Sequence, residues 1–231
     1  MKKRPDINRF ALLDYNFAAF EPGARVLDIG CGKGGQLLKL SGRGCQSIGL
    51  DPNIERVRTC VGLGLKVAVG EAEHLPFHEA SFDGIICKGV IPYTSEPVAF
   101  HEIARVLKPG GVAQIAYLSS GFYLRLLLLG QGGRVKQRVY GLRTFLNTWL
   151  FALTGKVLPG VWGNTLYQSR RRLSKYYAWN RLTLVRETPS KNFLGLPVFI
   201  YHTVRARPER ATPINAFATK ESAEVLTAVA S

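Results

Sequence analysis

Acidic residues are scarce in this chain. Sixteen Asp and Glu stand against 31 Lys and Arg, a formal net charge of +15 over 231 residues. Such an excess says nothing about fold, but it favours anionic partners: nucleic acid, acidic lipid or a phosphorylated substrate. Cysteine is sparse too. Cys31, Cys45, Cys60 and Cys87 include no C-x-x-C pair, so no metal site is expected, and reduced thiols in a cytoplasmic protein are. Long apolar runs are missing: no window reaches the roughly 18 uninterrupted apolar residues of a spanning helix. The charged opening Met1-Lys2-Lys3-Arg4 leads into no apolar stretch, so a cleaved signal peptide is not expected. No internal repeat is visible.

What is present is a rhythm. Residues 1–24 read as an amphipathic lead-in, with Phe10, Leu13, Phe17 and Phe20 at helical spacing. Short apolar strands are predicted at Arg25–Ile29, Ser47–Leu50, Lys66–Val69, Phe82–Cys87 and Val112–Tyr117. Helices are predicted from Gln36, from Pro52 and over Pro97–Leu107, the last stopped by Lys108-Pro109-Gly110-Gly111. Strands alternating with helices imply a parallel sheet covered on both faces. Leu182–Arg186 and Val198–Val204 close the domain as an antiparallel edge hairpin. The fold class is therefore α/β: a doubly wound, mostly parallel, seven-stranded Rossmann-like sheet with a helical insertion after the fifth strand. One domain is expected over residues 1–207, with 208–231 as a loose tail.

The first strand runs into Gly30-Cys31-Gly32-Lys33-Gly34-Gly35, and the second ends at Asp51. A glycine turn between strand and helix lets a ligand approach the backbone, and an acid ending the next strand can hold a ribose diol. Gly30, Gly32 and Gly35 fit a dinucleotide pattern, G-x-G-x-x-G; Gly30, Gly32 and Gly34 fit G-x-G-x-G. A tight turn that binds nothing is the plain alternative. Asp28, just before the glycines, weighs against a pyrophosphate, which it repels, and suits a cationic ligand; it can also cap loop amides.

At this point the chain resembles a known family. Val26-Leu27-Asp28-Ile29-Gly30-Cys31-Gly32-Lys33-Gly34 is similar to motif I of class I S-adenosyl-L-methionine (SAM) dependent methyltransferases. Gly49-Leu50-Asp51-Pro52-Asn53 resembles their second motif. Gly70 to Phe77 with Ser81-Phe82-Asp83 resembles the adenine-side segment, and Ile103 to Gly111 the turn before the fifth strand. The nearest group is the methyltransferase type 11, quinone-biosynthesis-like one. The resemblance implies SAM as cofactor. It gives Asp28 and Gly30, with the Cys31, Gly32 and Gly34 turn, to the methionine end, Asp51 and Pro52 to the ribose side, and Glu71 with the Ala72 backbone to adenine. Lys88 and Gly89 follow the fourth strand, where the family lines the methyl-donor pocket. The family more often has aspartate at Glu71 and histidine at Tyr93.

Methyl transfer needs alignment and dryness more than acid–base chemistry, since the sulfonium is already activated. The sequence names no general base; Tyr93, Lys88 and His101 are the candidates, each also readable as a packing or surface residue. Neither an Asn/Asp-Pro-Pro-Tyr/Phe motif nor a Pro-Cys nucleophile follows the fourth strand.

Residues 119–180 are basic, apolar and nearly free of acids. Phe122–Leu129 and Thr144–Leu153 are apolar runs too short to span a membrane, set among Arg125, Arg134, Lys136, Arg138, Arg143, Lys156 and Arg170-Arg171-Arg172. Three readings stay open: a helical cap with its leucines facing the sheet, a cap that also docks peripherally on an anionic membrane surface, or a nucleic-acid surface in which the arginines hold phosphate and Tyr176, Tyr177 and Trp179 stack on bases. The leading expectation is methyl transfer to a hydrophobic or lipid-like small molecule; RNA methylation and non-catalytic SAM binding are the alternatives.

Overall fold

The computed structural model describes residues 20–130, 135–154, 168–189 and 192–208. Phe10, Leu13 and Phe17 of the lead-in, Arg134 and Lys156, and residues 209–231 of the tail lie outside them. The elements run β1 (Arg25–Ile29), α1 (Gly35–Ser41), β2 (Gln46–Asp51), α2 (Ile54–Gly62), β3 (Val67–Val69), β4 (Phe82–Lys88), a short 3-10 turn at Ile91–Tyr93, and α3 (Glu96–Val106). They continue with β5 (Leu107–Leu118), α4 (Ser120–Leu129), α5 (Val135–Thr154), α6 (Arg170–Trp179), β6 (Leu182–Pro189), β7 (Asn192–Phe193), β8 (Leu196–Pro197) and β9 (Phe199–Ala206).

Seven strands form one sheet in the order β3-β2-β1-β4-β5-β9-β6, and β7 and β8 form a separate small hairpin. The pairs from β3 to β5 are parallel; β9 runs antiparallel to both neighbours. The expected edge hairpin is therefore β6 with β9, and its second strand is the one that joins the sheet. Val26, Leu27 and Ile29 of β1 and Phe82, Ile85, Ile86 and Cys87 of β4 are buried, as strands covered on both faces must be. On one face lie Phe100, Ile103 and Val106 of α3 with Leu173 and Tyr177 of α6. On the other lie Leu40 of α1 and Phe122, Tyr123 and Leu126 of α4. Phe20, the described end of the lead-in, lies over Gly84 of β4, where a Cβ would come within 2.3 Å of its ring.

Two boundaries differ from expectation. Pro52 precedes α2 instead of sitting in its first turn: Asn53 is the N-cap, its side chain accepting from the amides of Glu55 and Arg56. Lys108 to Gly111 do stop α3, but pairing has already begun at Leu107. Phe82 pairs with Leu107 and Gly84 with Val112, so residues 108–111 bulge out of β5.

The insertion is not one cap. Its α6 is clamped to the sheet and to α3. The Tyr177 hydroxyl meets that of Tyr117 in β5 and, at 2.7 Å, Nδ1 of His202 in β9; His202 Nε2 lies 3.2 Å from Glu187 Oε2 in β6. Burial pushes the His202 pKa down against the pull of Glu187, which favours a neutral ring. Arg172 donates to both oxygens of buried Glu96 at 2.8 and 3.1 Å, and Gln168 Nε2 donates to the same carboxylate at 2.9 Å. The pair α4 and α5 crosses closely at Gly141, where a Cβ would come within 2.7 Å of the Tyr123 carbonyl oxygen.

Replacing Tyr177 by Phe leaves the buried Tyr117 hydroxyl and His202 Nδ1 without their shared partner. The expected loss is ~1–3 kcal/mol, read as a lower urea midpoint with an unchanged slope. An unaltered midpoint would show that this chain of contacts does not hold α6 in place.

Candidate cofactor pocket

In a doubly wound sheet the strand order reverses at one point, and the loops there part to leave a crevice at the carboxyl ends. Here that point lies at β1, flanked by β2 and β4. Gly30, Gly32 and Gly34 follow β1 with φ of 71, 60 and 82°, a region where L side chains are strained. A Cβ on Gly30 would lie 2.3 Å from Val90 Cγ2 and one on Gly34 2.4 Å from Leu65 Cδ1, while the space around Gly32 is open. Gly35 is simply the first residue of α1 and has no positive φ. The backbone therefore demands glycine at the G-x-G-x-G positions and not at the fourth glycine, which the sequence left open.

Amides of Gly30 and Cys31 donate to the Leu50 carbonyl at 2.7 and 3.1 Å, fastening the turn to the end of β2. Asp51 completes the fastening. Its buried carboxylate accepts from the Gly32 amide (3.0 Å) and the Asn53 amide (2.9 Å), and Arg56 Nη1 stands 3.4 Å away. This tying role was not legible in the sequence. It leaves Asp51 Oδ1 one lone pair for a further donor, and the Arg56 contact is long and half exposed.

Asp28 is 2% exposed, and its Oδ2 is buried without a hydrogen-bond partner. Burial raises its pKa to about 7, against the lowering pull of Lys88 and with a smaller push from Asp51. Burial likewise lowers the pKa of the Lys88 ammonium, which Asp28 pulls back up. The ends of β1, β2 and β4 thus gather two carboxylates and one ammonium, with one carboxylate oxygen unsatisfied.

Cys31 brings only its backbone to this surface. Its side chain turns into the cluster of Leu37 and Cys60 beneath Gly49, and burial drives its thiol pKa far up. Cys87 is buried too, its thiol pushed up in the same way, which removes it as a nucleophile. Pro52 is exposed beside Asp51. On the adenine-side loop Glu71 is exposed, Ala72 and Leu75 are buried, and the backbones of Glu71 and His74 pair as an isolated β-bridge. The loop is propped by residues the sequence reading missed. Glu102 of α3 accepts from the Leu75 amide at 2.8 Å, and Arg105 donates to the carbonyls of Phe77 and Leu75 at 2.8 and 3.0 Å. An i, i+3 acid–base pair on a helix was the available signal, but nothing local told where it would reach.

Of the three catalytic candidates, two stand near the pocket. Lys88 ends β4, and Tyr93 lies on the 3-10 turn just after it. Burial, then Tyr140, Tyr93 and Glu96 in turn, raises the Tyr123 pKa, so these groups from α3, α4, α5 and the turn share one neighbourhood. His101 is exposed on α3, away from the packing face of Ala99, Phe100 and Ile103. Among the described residues no group of three or more His, Cys, Asp or Glu is arranged to hold a metal.

The raised pKa of Asp28 has a thermodynamic consequence. Between its ordinary value of 3.8 and about 7 the folded chain binds a proton that the unfolded chain has lost, so stability falls as pH rises through that window. A displacement of this size corresponds to a cost on the order of 4 kcal/mol above the window. Asp28→Asn is expected to raise the thermal midpoint at pH 8 and to change it little near pH 4. Equal midpoints at pH 8 would mean that the carboxylate is solvated.

Comparison with known proteins agrees with this geometry. Residues 27–115 match the family described as "Methyltransferase domain". The sterol 24-C-methyltransferase of Schizosaccharomyces pombe is 34% identical over 102 residues, 40% of this chain and 27% of that protein. The probable tRNA methyltransferase 9B of Mus musculus is 40% identical over 103 residues, 41% of this chain and 22% of that protein. The chain thus spans well under half the length of these relatives. A SAM-dependent methyltransferase from Methanosarcina mazei superposes with a TM-score of 0.61 at 18% identity, covering 90% of this chain and all of that one, which shows the shared fold. Residues 27–115 thus carry the pattern of the methyltransferase-domain family, on a sheet that shares its fold with a SAM-dependent methyltransferase.

Proposed function

We infer that this chain transfers a methyl group from SAM to a hydrophobic or lipid-like small molecule. The observation that carries the reading is the buried, unpartnered Oδ2 of Asp28 behind the glycine turn. An oxygen in that state calls for a cation or a donor, and SAM brings an ammonium and a sulfonium. Asp28 and the Gly30–Gly34 turn are assigned to the methionine end, the free lone pair of Asp51 to a ribose hydroxyl, and Ala72 with Glu71 to adenine. Lys88 bounds the space beside the methyl group.

Bound there, SAM supplies an electrophilic methyl carbon. The acceptor would contribute the electron pair of the new bond, and the sulfur would keep the pair of the broken carbon–sulfur bond as a neutral thioether. What the chain contributes is alignment and exclusion of water. Tyr93 and Tyr123 shape the acceptor side, and Lys88, whose ammonium burial disfavours, is the group best placed to take an acceptor proton. The sterol substrate named for the yeast relative and the apolar insertion favour a hydrophobic acceptor.

The tRNA methyltransferase relative keeps RNA as the second reading. Against it, two of the three consecutive arginines are already engaged: Arg170 with Glu187 at 3.2 Å and Arg172 with buried Glu96 at 2.8 Å. Their charge is partly cancelled before any phosphate arrives.

Asp51→Ala is expected to weaken binding of S-adenosylhomocysteine about tenfold or more, by loss of charge-assisted hydrogen bonds and of the loop tie, measured by calorimetry. Wild-type affinity should also rise between pH 5.5 and 7.5 as Asp28 ionises. Unchanged affinity in the variant would refute the cofactor placement. Labelled methyl from SAM should appear in a lipid extract and not in RNA; label confined to RNA would reverse the choice of acceptor.

A further inference from the structure

Helix α5 is amphipathic the wrong way round for a soluble protein. Its buried positions are Tyr140, Gly141, Thr144, Asn147 and Thr148, small or polar. Its exposed positions include Val135, Val139, Leu142, Leu146, Trp149 and Leu153, each between 46 and 71% exposed. At about 100° per residue these six fall within roughly 80° of one another, one continuous stripe opposite the buried face. Leu128 and Leu129, ending α4, are also about half exposed. The cap reading placed these leucines on the sheet; in α5 they face outward, because the α4–α5 contact is made through Gly141 and the hydroxyl-bearing face.

That inner face is itself informative. Thr144 Oγ1 donates back to the Tyr140 carbonyl at 2.9 Å and Thr148 Oγ1 to that of Thr144 at 2.8 Å. Close approach through glycine with helix-satisfied threonine hydroxyls is the way helices pack when their outer surroundings are apolar. No described helix is long and apolar enough to cross a membrane, so the stripe is suited to lie along a surface.

The charges select the surface. Lys136 and Arg143 stand on one flank of the stripe and Arg138 on the other, at roughly 60–100° from its centre, where long basic side chains reach past an apolar stripe to headgroups. No Asp or Glu occurs between Glu102 and Glu187. A second copy of the chain would bring these cations against their own kind. A phosphate backbone would leave six large apolar side chains in water. We propose that the outer face of α5, extended by Leu128 and Leu129, docks on an anionic lipid bilayer with the helix in the plane of the headgroups.

This holds whichever acceptor is methylated, and its test needs no turnover. The full chain is centrifuged with phosphatidylcholine vesicles and with vesicles about one-third phosphatidylserine. Binding is expected to the anionic vesicles, at least tenfold weaker to the neutral ones, with a blue shift in tryptophan emission that Trp149→Phe diminishes. Leu146→Gln with Trp149→Gln, at positions already exposed, is expected to weaken vesicle binding tenfold or more while leaving S-adenosylhomocysteine affinity and the thermal midpoint unchanged. Lys136→Gln with Arg138→Gln is expected to reduce the preference for anionic lipid. Vesicle binding by the apolar variant equal to wild type overturns the proposal, as does a folded wild-type chain that ignores anionic vesicles. A dimer that the apolar variant dissociates, with no lipid binding, overturns it in favour of self-association. A chain that docks but binds no S-adenosylhomocysteine sinks the cofactor reading alone.

Discussion

A carboxylate removed from water without a partner is an expensive thing to fold around, and the architecture at the head of β1 keeps one. Asp28 occupies the strand that both halves of the sheet share, so it cannot be moved outward without unpairing β1 from β2 or β4. The glycine turn that covers it is in turn fixed by Asp51, whose oxygens tie the turn to the start of α2. One acid remains unsatisfied while the other is nearly saturated, though they lie on adjacent strands. That asymmetry separates a group left without a donor from one that builds the loops around it.

The second constraint is mechanical. The insertion after β5 is divided between the two faces of the sheet, and each part is held differently. Helix α6 is bound by polar contacts reaching across α3, β5, β6 and β9, with the Glu96–Arg172 pair buried at its start. Removing one member of such a pair costs far more than the pair contributes, so α6 belongs to the fixed frame. The pair α4 and α5 meets by backbone approach at Gly141; α4 packs on the sheet through Phe122, Tyr123 and Leu126, while the outer apolar side of α5 stays uncovered. Frame and periphery therefore both derive from the stretch that breaks the strand–helix rhythm, and charge composition alone does not tell them apart.

Much of the frame was legible in the sequence because it is local. Strand runs such as Arg25–Ile29 and Phe82–Cys87 are short, apolar and bounded by turn residues, and the glycines after β1 announce a turn that only glycine permits. Asp51 was legible by position but not by role, since its ties to the Gly32 and Asn53 amides depend on two loops meeting. The bulge at residues 108–111 was hidden because proline and glycine read as a stop whether the chain turns away or merely steps out of register. Glu102 and Arg105 were missed because their partners lie 27 to 30 residues away along the chain. The orientation of α5 stayed open for a physical reason: a run of leucines near a core can face inward or outward, and here a glycine and two threonines took the inner side.

All four cysteines of the chain are buried and unpaired, and burial raises the pKa of each thiol. Alkylating reagents act on the thiolate, so the native chain is a quiet background for chemical tagging. A single cysteine introduced at an exposed site would take up a spin or fluorescent probe almost alone. Any slow labelling of the original four would then count the moments at which the sheet comes open.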